Sequence, residues 1–179
     1  MRWPFNHFKK QFPAPSRRTI EAIYGTIVAQ AREPLFYQAY GVPDSVNGRF
    51  DLVLLHLWMV LRQLRSGPDE ALPQALFDHF CSDMDANLRE MGVGDLSVPK
   101  RMQAFGEAFY GRSAAYDRAL AEGSEPLAQA LDKNIYSGGN IESARRLAAY
   151  TADAIAALAC GDYATPTGDL QFPDFAQRK

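Results

Sequence analysis

The sequence predicts an all-α fold, a compact bundle of about six to seven helices with no significant sheet. Eleven prolines divide the 179 residues into spans, and within these spans apolar residues recur every three or four positions. Alanine, a strong helix former, is abundant, whereas the β-branched residues that favour strands are comparatively few. No span is convincing as a central strand.

The helical segments follow one another along the whole chain. Their predicted bounds are about 16–33, 34–41, 47–66, 73–91, 97–121, 124–136 and 140–159. Ser16 is a candidate N-cap for the first helix, which Pro34 ends. The segment PLFYQAYG forms a short helix or turn that closes at Gly41. The next helix closes with Gly67-Pro68, because glycine adopts the C-terminal cap conformation and proline cannot continue a helix.

The later helices are predicted from stripes and caps of the same kind. The helix at 73–91 carries one apolar stripe, formed by Leu76, Phe80, Met84 and Leu88. Asp95 or Ser97 can cap the helix that follows. Ser124 begins a short helix, and Asn140 caps the last one, whose evenly spaced alanines allow a neighbouring helix to approach closely.

The length favours one domain. We expect a basic, aromatic N-terminal segment (1–18) that can be flexible, a single helical domain (19–160) and an irregular C-terminal tail (161–179), in which Leu170, Phe172 and Phe175 can pin the tail to the core. The longest apolar run, 52–61, would span only about 15 Å as a helix, half of a bilayer core, so we expect no transmembrane helix.

The N-terminal segment differs in charge from everything that follows it. Five cations precede the first acidic residue, so the remainder, with 14 cations and 21 acids, has a net charge of -7. Such an acidic body argues against general nucleic-acid binding. Aromatic and basic residues together favour contact with an anionic membrane surface, and a disordered tail is the alternative. The candidate membrane-contact residues are Arg2, Trp3, Phe5, Phe8, Lys9, Lys10 and Phe12.

The stretch RFDLVLLHLWMVLRQLR (49–65) contains one histidine, His56, in a run of apolar residues. On a helical wheel most apolar side chains share one arc, and His56 lies on a narrow polar line at its edge. No second histidine lies three or four positions away, as a pair of metal ligands on one helix would require. We therefore interpret His56 as a boundary histidine.

The face opposite that arc carries a tryptophan among charged residues. Its members are Asp51, Leu55, Trp58, Arg62 and Arg65. Trp58 is either a buried aromatic in a helix covered on both sides or an exposed anchor for a partner. Tryptophan and arginine dominate protein interfaces, so the second alternative makes this face a candidate partner-binding surface.

The sequence carries no recognisable catalytic motif. It has no Gly-x-Ser-x-Gly elbow, phosphate-binding loop or dinucleotide fingerprint, so we do not expect an enzyme. His79 and Asp83 resemble half of a metal site, Cys81 is expected to fill the core, and Cys160 lacks a partnering motif. We expect no cofactor, metal or catalytic residue. Two alternatives stay open: a haem- or metal-handling protein using His56 or His79, and a small helical enzyme.

Several long segments resemble the ubiquinol cytochrome c chaperone family, in particular its shorter bacterial members. These segments are YGTIVAQAREPLFYQAYGVPDSVNGRF, GRFDLVLLHLWMVLRQLR and ALFDHFCSDMDANLREMGVGDLSVPKRMQAFGEAFYGRSAAYDRAL, between about residues 22 and 121. Downstream, LDKNIYSGG is similar to a family segment in which arginine is expected in place of Lys133. Through this segment the resemblance adds Lys133 and Tyr136 to the candidate partner-binding residues.

The resemblance implies a non-enzymatic assembly factor for respiratory complex III. It implies newly made cytochrome b, or another complex III subunit, as the client, and allows for a small partner protein. It also implies a cytoplasmic location, peripheral to the inner membrane, in a bacterium, or the matrix side of that membrane in a mitochondrion.

Overall fold

The computed structural model describes residues 15–159 and 170–173. In these residues the chain is helical and contains no strand. The helices are α1 (Arg17–Ala31), α2 (Leu35–Gln38), α3 (Val46–Arg65), α4 (Leu72–Glu90), α5 (Val98–Glu122), α6 (Ser124–Ile135) and α7 (Ile141–Ala159). The predicted all-α fold is confirmed. Within the described part, no helix combines the length and the apolar character that crossing a membrane requires.

Two of the polar side chains predicted to cap helices, those of Ser16 and Asn140, satisfy backbone N–H groups at the helix starts. The Ser16 hydroxyl accepts from the backbone N–H of Thr19, at 3.1 Å, at the start of α1. Asn140 accepts from Ser143 at 3.2 Å and so caps α7. Ser97 is the N-cap residue of α5, but its side chain makes no capping bond.

Helix α3 lies at the centre of the fold, in contact with α1, α4, α6 and α7. Leu52 and every residue from 54 to 61 are buried. Helices α6 and α7 pack against each other, and α5 packs against α4 and α6. A helix that is apolar all round its central turns is stable only when neighbours cover every side. Helix α5 completes the cover of α3 through side-chain contacts, such as those of Tyr116 and Asp117 with Trp58.

The segment before α3 folds back tightly onto the first turn of that helix. A Cβ atom on Gly48 would lie 2.1 Å from the carbonyl oxygen of Pro43, which is far inside the contact distance of two atoms. Ser45 caps the same turn by accepting from the Gly48 N–H at 3.1 Å. Glycine is therefore required at position 48 so that the backbone can approach this closely.

Part of the C-terminal tail reaches the core. Leu170 is buried in the main apolar cluster, and the ring of Phe172 packs edge-on against His56, with centroids 5.1 Å apart. Residues 170–173 adopt neither helix nor strand. Phe175, Cys160 and the seven candidate membrane-contact residues lie outside the described residues.

Candidate functional site

The structure corrects the prediction that Trp58 and Leu55 form an exposed face. Trp58 is 1% exposed and Leu55 is fully buried. Helix α5 covers this side of α3, and the ring of Tyr116 packs on the Trp58 indole with centroids 5.2 Å apart. The two residues belong to the core, so they cannot contact a partner directly. The alternative of a tryptophan in a helix covered on both sides is the correct one.

The charged neighbours of Trp58 hold α3 and α5 together. The indole Nε1 donates to Asp117 Oδ1 at 3.2 Å, and Arg62 Nη1 donates to the same oxygen at 2.5 Å. The Arg62 side chain is still partly exposed, and Arg65 is exposed on the next turn. Only the arginines of the predicted face are therefore accessible.

His56 is buried in the core and not at its boundary. Its Nδ1 lies 2.7 Å from the carbonyl oxygen of Leu52, and its Nε2 lies 2.9 Å from the hydroxyl of Tyr150. Since a carbonyl oxygen only accepts, Nδ1 carries the proton and Nε2 accepts from Tyr150. Gln30 in turn donates to the Tyr150 hydroxyl at 3.2 Å. Burial lowers the pKa of His56 to about 4, so the ring is neutral at pH 7.

The other candidate ligands on α4 take part in packing. Asp83 accepts from the Tyr24 hydroxyl at 2.7 Å, and the His79 ring packs edge-on against Tyr24 at 5.0 Å. Cys81 is half-buried, and this burial raises the pKa of its thiol. No group of three or more His, Cys, Asp or Glu side chains in the described part of the chain is arranged to hold a metal ion.

A groove of about 620 Å³ opens between the start of α3, the middle of α5 and the end of α6. This volume falls within the range of about 300–1,000 Å³ found for ligand pockets. The lining residues are Pro43, Ser45, Asn47, Gly48, Phe50, Asp51, Phe105, Ala108, Arg112, Lys133, Asn134, Ile135 and Ser137. Two of the sequence-predicted residues, Asp51 and Lys133, meet here although they are far apart in the chain.

An ion pair between Asp51 and Arg112 forms one wall of the groove. Arg112 Nη1 donates to Asp51 Oδ1, and the two side chains are 12% and 26% exposed. Burial raises the pKa of the Asp51 carboxyl, and the guanidinium of Arg112 offsets part of that rise. Asp51 is thus occupied by a partner within the fold, and Arg112 is a groove residue that the sequence reasoning missed.

The opposite wall is the end of α6 with the turn that follows. Lys133 is exposed, lines the groove and forms no ion pair within the residues that the structure describes. Tyr136, by contrast, is only 7% exposed, and its hydroxyl donates inward to the carbonyl oxygen of Tyr40 at 2.8 Å. Tyr136 therefore anchors the turn, and its predicted contact with a partner would have to be indirect.

The groove could not be predicted from the sequence. Asp51 and Arg112 are 61 positions apart, and neither belongs to a motif. Phe50 and Phe105, whose rings lie 5.0 Å apart beside them, are assigned to core faces by the periodicity of their helices.

The fold and the groove define an all-helical protein with an open concave surface lined by aromatic and charged side chains. Residues 38–165 match the model of the family described as Ubiquinol-cytochrome C chaperone, which is more than half of the chain. The chain therefore belongs to this family. This confirms the resemblance seen in the sequence.

Solved and curated proteins agree with this assignment. The crystal structure of the Cbp3 homolog from Brucella abortus superimposes with a TM-score of 0.78 at 37% identity, covering 89% of this chain and 91% of that one. Ubiquinol-cytochrome c reductase complex assembly factor 1 from Mus musculus is 27% identical over 117 residues, 64% of this chain and 40% of the relative. The Xenopus laevis counterpart is 24% identical over 102 residues, 56% of this chain and 51% of the relative. The chain thus spans about half or less of the length of these curated relatives.

Proposed function

We propose that this protein is a non-enzymatic assembly factor for respiratory complex III, which binds newly made cytochrome b, or another subunit of that complex, at the membrane. The observation that carries the proposal is the agreement over nearly the whole fold with the Brucella abortus Cbp3 homolog. The family match supports it, as does the similarity to the mouse and frog proteins, which are named as assembly factors of the ubiquinol-cytochrome c reductase complex.

The groove is the surface that we propose for the client. Its aromatic wall can bury apolar side chains of an unassembled subunit, which stabilises a complex by about 25 cal/mol per Å² of buried apolar area. The cost of ordering the client segment offsets part of this gain. Binding would therefore be reversible, and a chaperone must release its client at assembly. A small partner protein, also implied by the family, would be found in the same complex.

Deleting the gene tests the proposal. We expect less assembled complex III in solubilised membranes on native gels, because an unprotected subunit would misfold or be degraded. An unrelated membrane enzyme, assayed in the same membranes, should keep its normal level. Complex III that is unchanged in the deletion strain would refute the proposed function.

The location at the membrane is part of the proposal and depends on the N-terminal segment. Its seven basic and aromatic candidate residues lie outside the described part of the chain. The membrane contact is therefore supported by their chemistry, because each Lys or Arg near an anionic surface contributes about 1 kcal/mol to binding. We expect the full chain to float with anionic liposomes and a chain that lacks residues 1–18 to float much less. Equal flotation of the two would contradict the membrane contact.

The alternatives of haem or metal handling and of enzymatic activity gain no supporting observation in the described residues. Both ring nitrogens of His56 are bonded within the core, and Asp83 is bonded to Tyr24. A ligand role for either residue would require these bonds to break.

A further inference from the structure

The charges that line the groove do not cancel. Asp51 and Arg112 neutralise each other, whereas Lys133 has no acidic partner among the described residues. The groove is thus a cationic spot on a chain whose residues after position 20 carry a net charge of -7. An unpaired lysine beside an internal ion pair is positioned to bind an anion.

An apolar surface lies in the same groove. The half-buried rings of Phe50 and Phe105 are tilted at 40° to each other, with centroids 5.0 Å apart. Aromatic surfaces of this kind take apolar or aromatic side chains, and they contribute to binding beyond the area that they bury. The groove therefore offers both a cation and an apolar wall to one ligand.

The turn beside Lys133 ends α6 with a residue in the left-handed backbone conformation. Ser137, which also lines the groove, has φ +56°, a value that is uncommon for a residue with a side chain. The bonds that hold it are the Tyr136 hydroxyl to the Tyr40 carbonyl and the Gly138 N–H to the Asp132 carbonyl, at 2.8 and 2.9 Å. This is the left-handed capping geometry with which many helices end, and it fixes the position of the groove wall beside Lys133.

We propose that the groove binds a peptide segment in which a carboxylate side chain lies next to an apolar or aromatic one. The carboxylate accepts from Lys133 Nζ, and the apolar side chain packs on Phe50 and Phe105. The inference names the chemistry of the client segment and so rests on the proposed function. An acidic segment fits because Lys133 is the one charged side chain lining the groove that has no ion-pair partner among the described residues.

Two synthetic peptides test the proposal on the full chain. The probes are acetyl-Ser-Phe-Glu-Leu-Ser-amide and the same peptide with glutamine in place of glutamate, titrated at millimolar concentration and followed by NMR shifts of backbone amides. We expect the acidic peptide to bind about fivefold more tightly, the upper end for a solvent-accessible ion pair. The shifted amides should include those of Phe105 and Ser137.

Variants assign the effect to the groove. In Lys133→Met the preference for the acidic peptide should disappear, and in Lys133→Arg it should persist. Lys100→Met removes an exposed lysine that does not line the groove and serves as the matched control, with the preference unchanged. Thermal unfolding of each variant should match that of the parent chain, because both lysines are exposed.

The outcomes separate this inference from the proposed function. Equal binding of the two peptides, no binding of either, or a preference that survives Lys133→Met overturns the acidic-segment proposal. If complex III is nevertheless reduced in the deletion strain, the assembly function stands and the client binds elsewhere. If the peptides discriminate but complex III is normal, the groove chemistry stands and the assigned function is wrong.

Discussion

At the scale of single residues, the contact of Trp58 with Asp117 explains why an indole lies among charges. The Asp117 carboxylate accepts from both the indole and the Arg62 guanidinium. The Asp117 carboxylate is partly exposed, as is the Arg62 side chain. The two charged groups therefore lie at the surface, and the Trp58 indole is buried beneath them between α3 and α5. The charged residues on the same helix face as Trp58 therefore mark a contact between two helices, and not a surface for a partner.

Replacing Trp58 with alanine is expected to destabilise the fold. Removing a buried indole leaves a cavity and should lower the free energy of unfolding by about 3–5 kcal/mol. Arg65→Ala on the same helix is the matched control and should change it by less than about 0.5 kcal/mol, since that side chain is exposed and makes no ion pair among the described residues. Chemical denaturation measures both. A loss below about 1 kcal/mol for Trp58→Ala would contradict its place in the core.

His56 makes the stability of the protein sensitive to mild acid. Its pKa is about 4 when folded and 6.5 when free, so below pH 6.5 the unfolded chain binds a proton that the folded chain does not. Stability contributed by the neutral ring is complete above pH 6.5 and is lost as the pH falls towards 4. Between pH 7 and pH 5 the loss from this residue should be about 2 kcal/mol.

Denaturation curves at several pH values check this prediction. The parent chain should lose stability steadily from pH 7 to pH 5. His56→Gln should be less stable at pH 7, because it disturbs the bonds to Leu52 and Tyr150, but it should lack most of that decline. The same slope in both proteins would show that another group binds the proton.

At the scale of helices, α3 shows what a helical wheel can and cannot predict. The charged residues of its supposed outer face lie towards the two ends of the helix, Asp51 in the second turn and Arg62 and Arg65 in the last, whereas 54–61 carry no formal charge and are all buried. Averaging along the whole helix therefore produced a polar face that its centre does not have. Reading the run turn by turn would have indicated a helix buried on all sides.

Helix positions and caps were predictable because they depend on local chemistry. Ser16 and Asn140 cap the helices that they were expected to cap. The requirement for glycine at position 48 could not be predicted, because it arises from the approach of Pro43 in the folded structure. A helix cap depends on residues three positions apart in the sequence, so the sequence reveals it. The close approach of two backbone segments depends on the folded structure, so the sequence does not reveal it.

A pair of glycine substitutions tests this account of α3. Gly48→Ala should lower the free energy of unfolding by more than about 1 kcal/mol, because its Cβ would collide with the Pro43 carbonyl. Gly25→Ala in α1 has open space around its Cβ and should instead raise stability by about 0.5–1 kcal/mol through helix propensity. Thermal unfolding of the two variants measures the contrast. Equal shifts in the unfolding temperatures of the two variants would mean that Pro43 does not pack as closely against Gly48 as the structure shows.

At the scale of the whole molecule, the fold class and the family could be predicted from the sequence, but the groove could not. The fold class follows from the periodicity of the apolar residues, and the family follows from the long segments that resemble it. The groove instead needs α3, α5 and α6 to be assembled before Asp51, Arg112 and Lys133 lie around one space. Of these three residues, only Asp51 and Lys133 were among the predicted partner-binding residues. Asp51 is paired with Arg112, whereas Lys133 is accessible to a ligand.

Membership in the chaperone family and the open groove support the proposal that the chain holds a complex III subunit before assembly. The most direct measurement is a pulse–chase experiment in cells that carry an affinity-tagged copy of the protein. We predict that labelled cytochrome b co-purifies with the tagged chain directly after the pulse and leaves it during the chase, as label enters complex III. If no newly made subunit of complex III co-purifies at any time, while the tagged protein restores a deletion strain, the claim is contradicted.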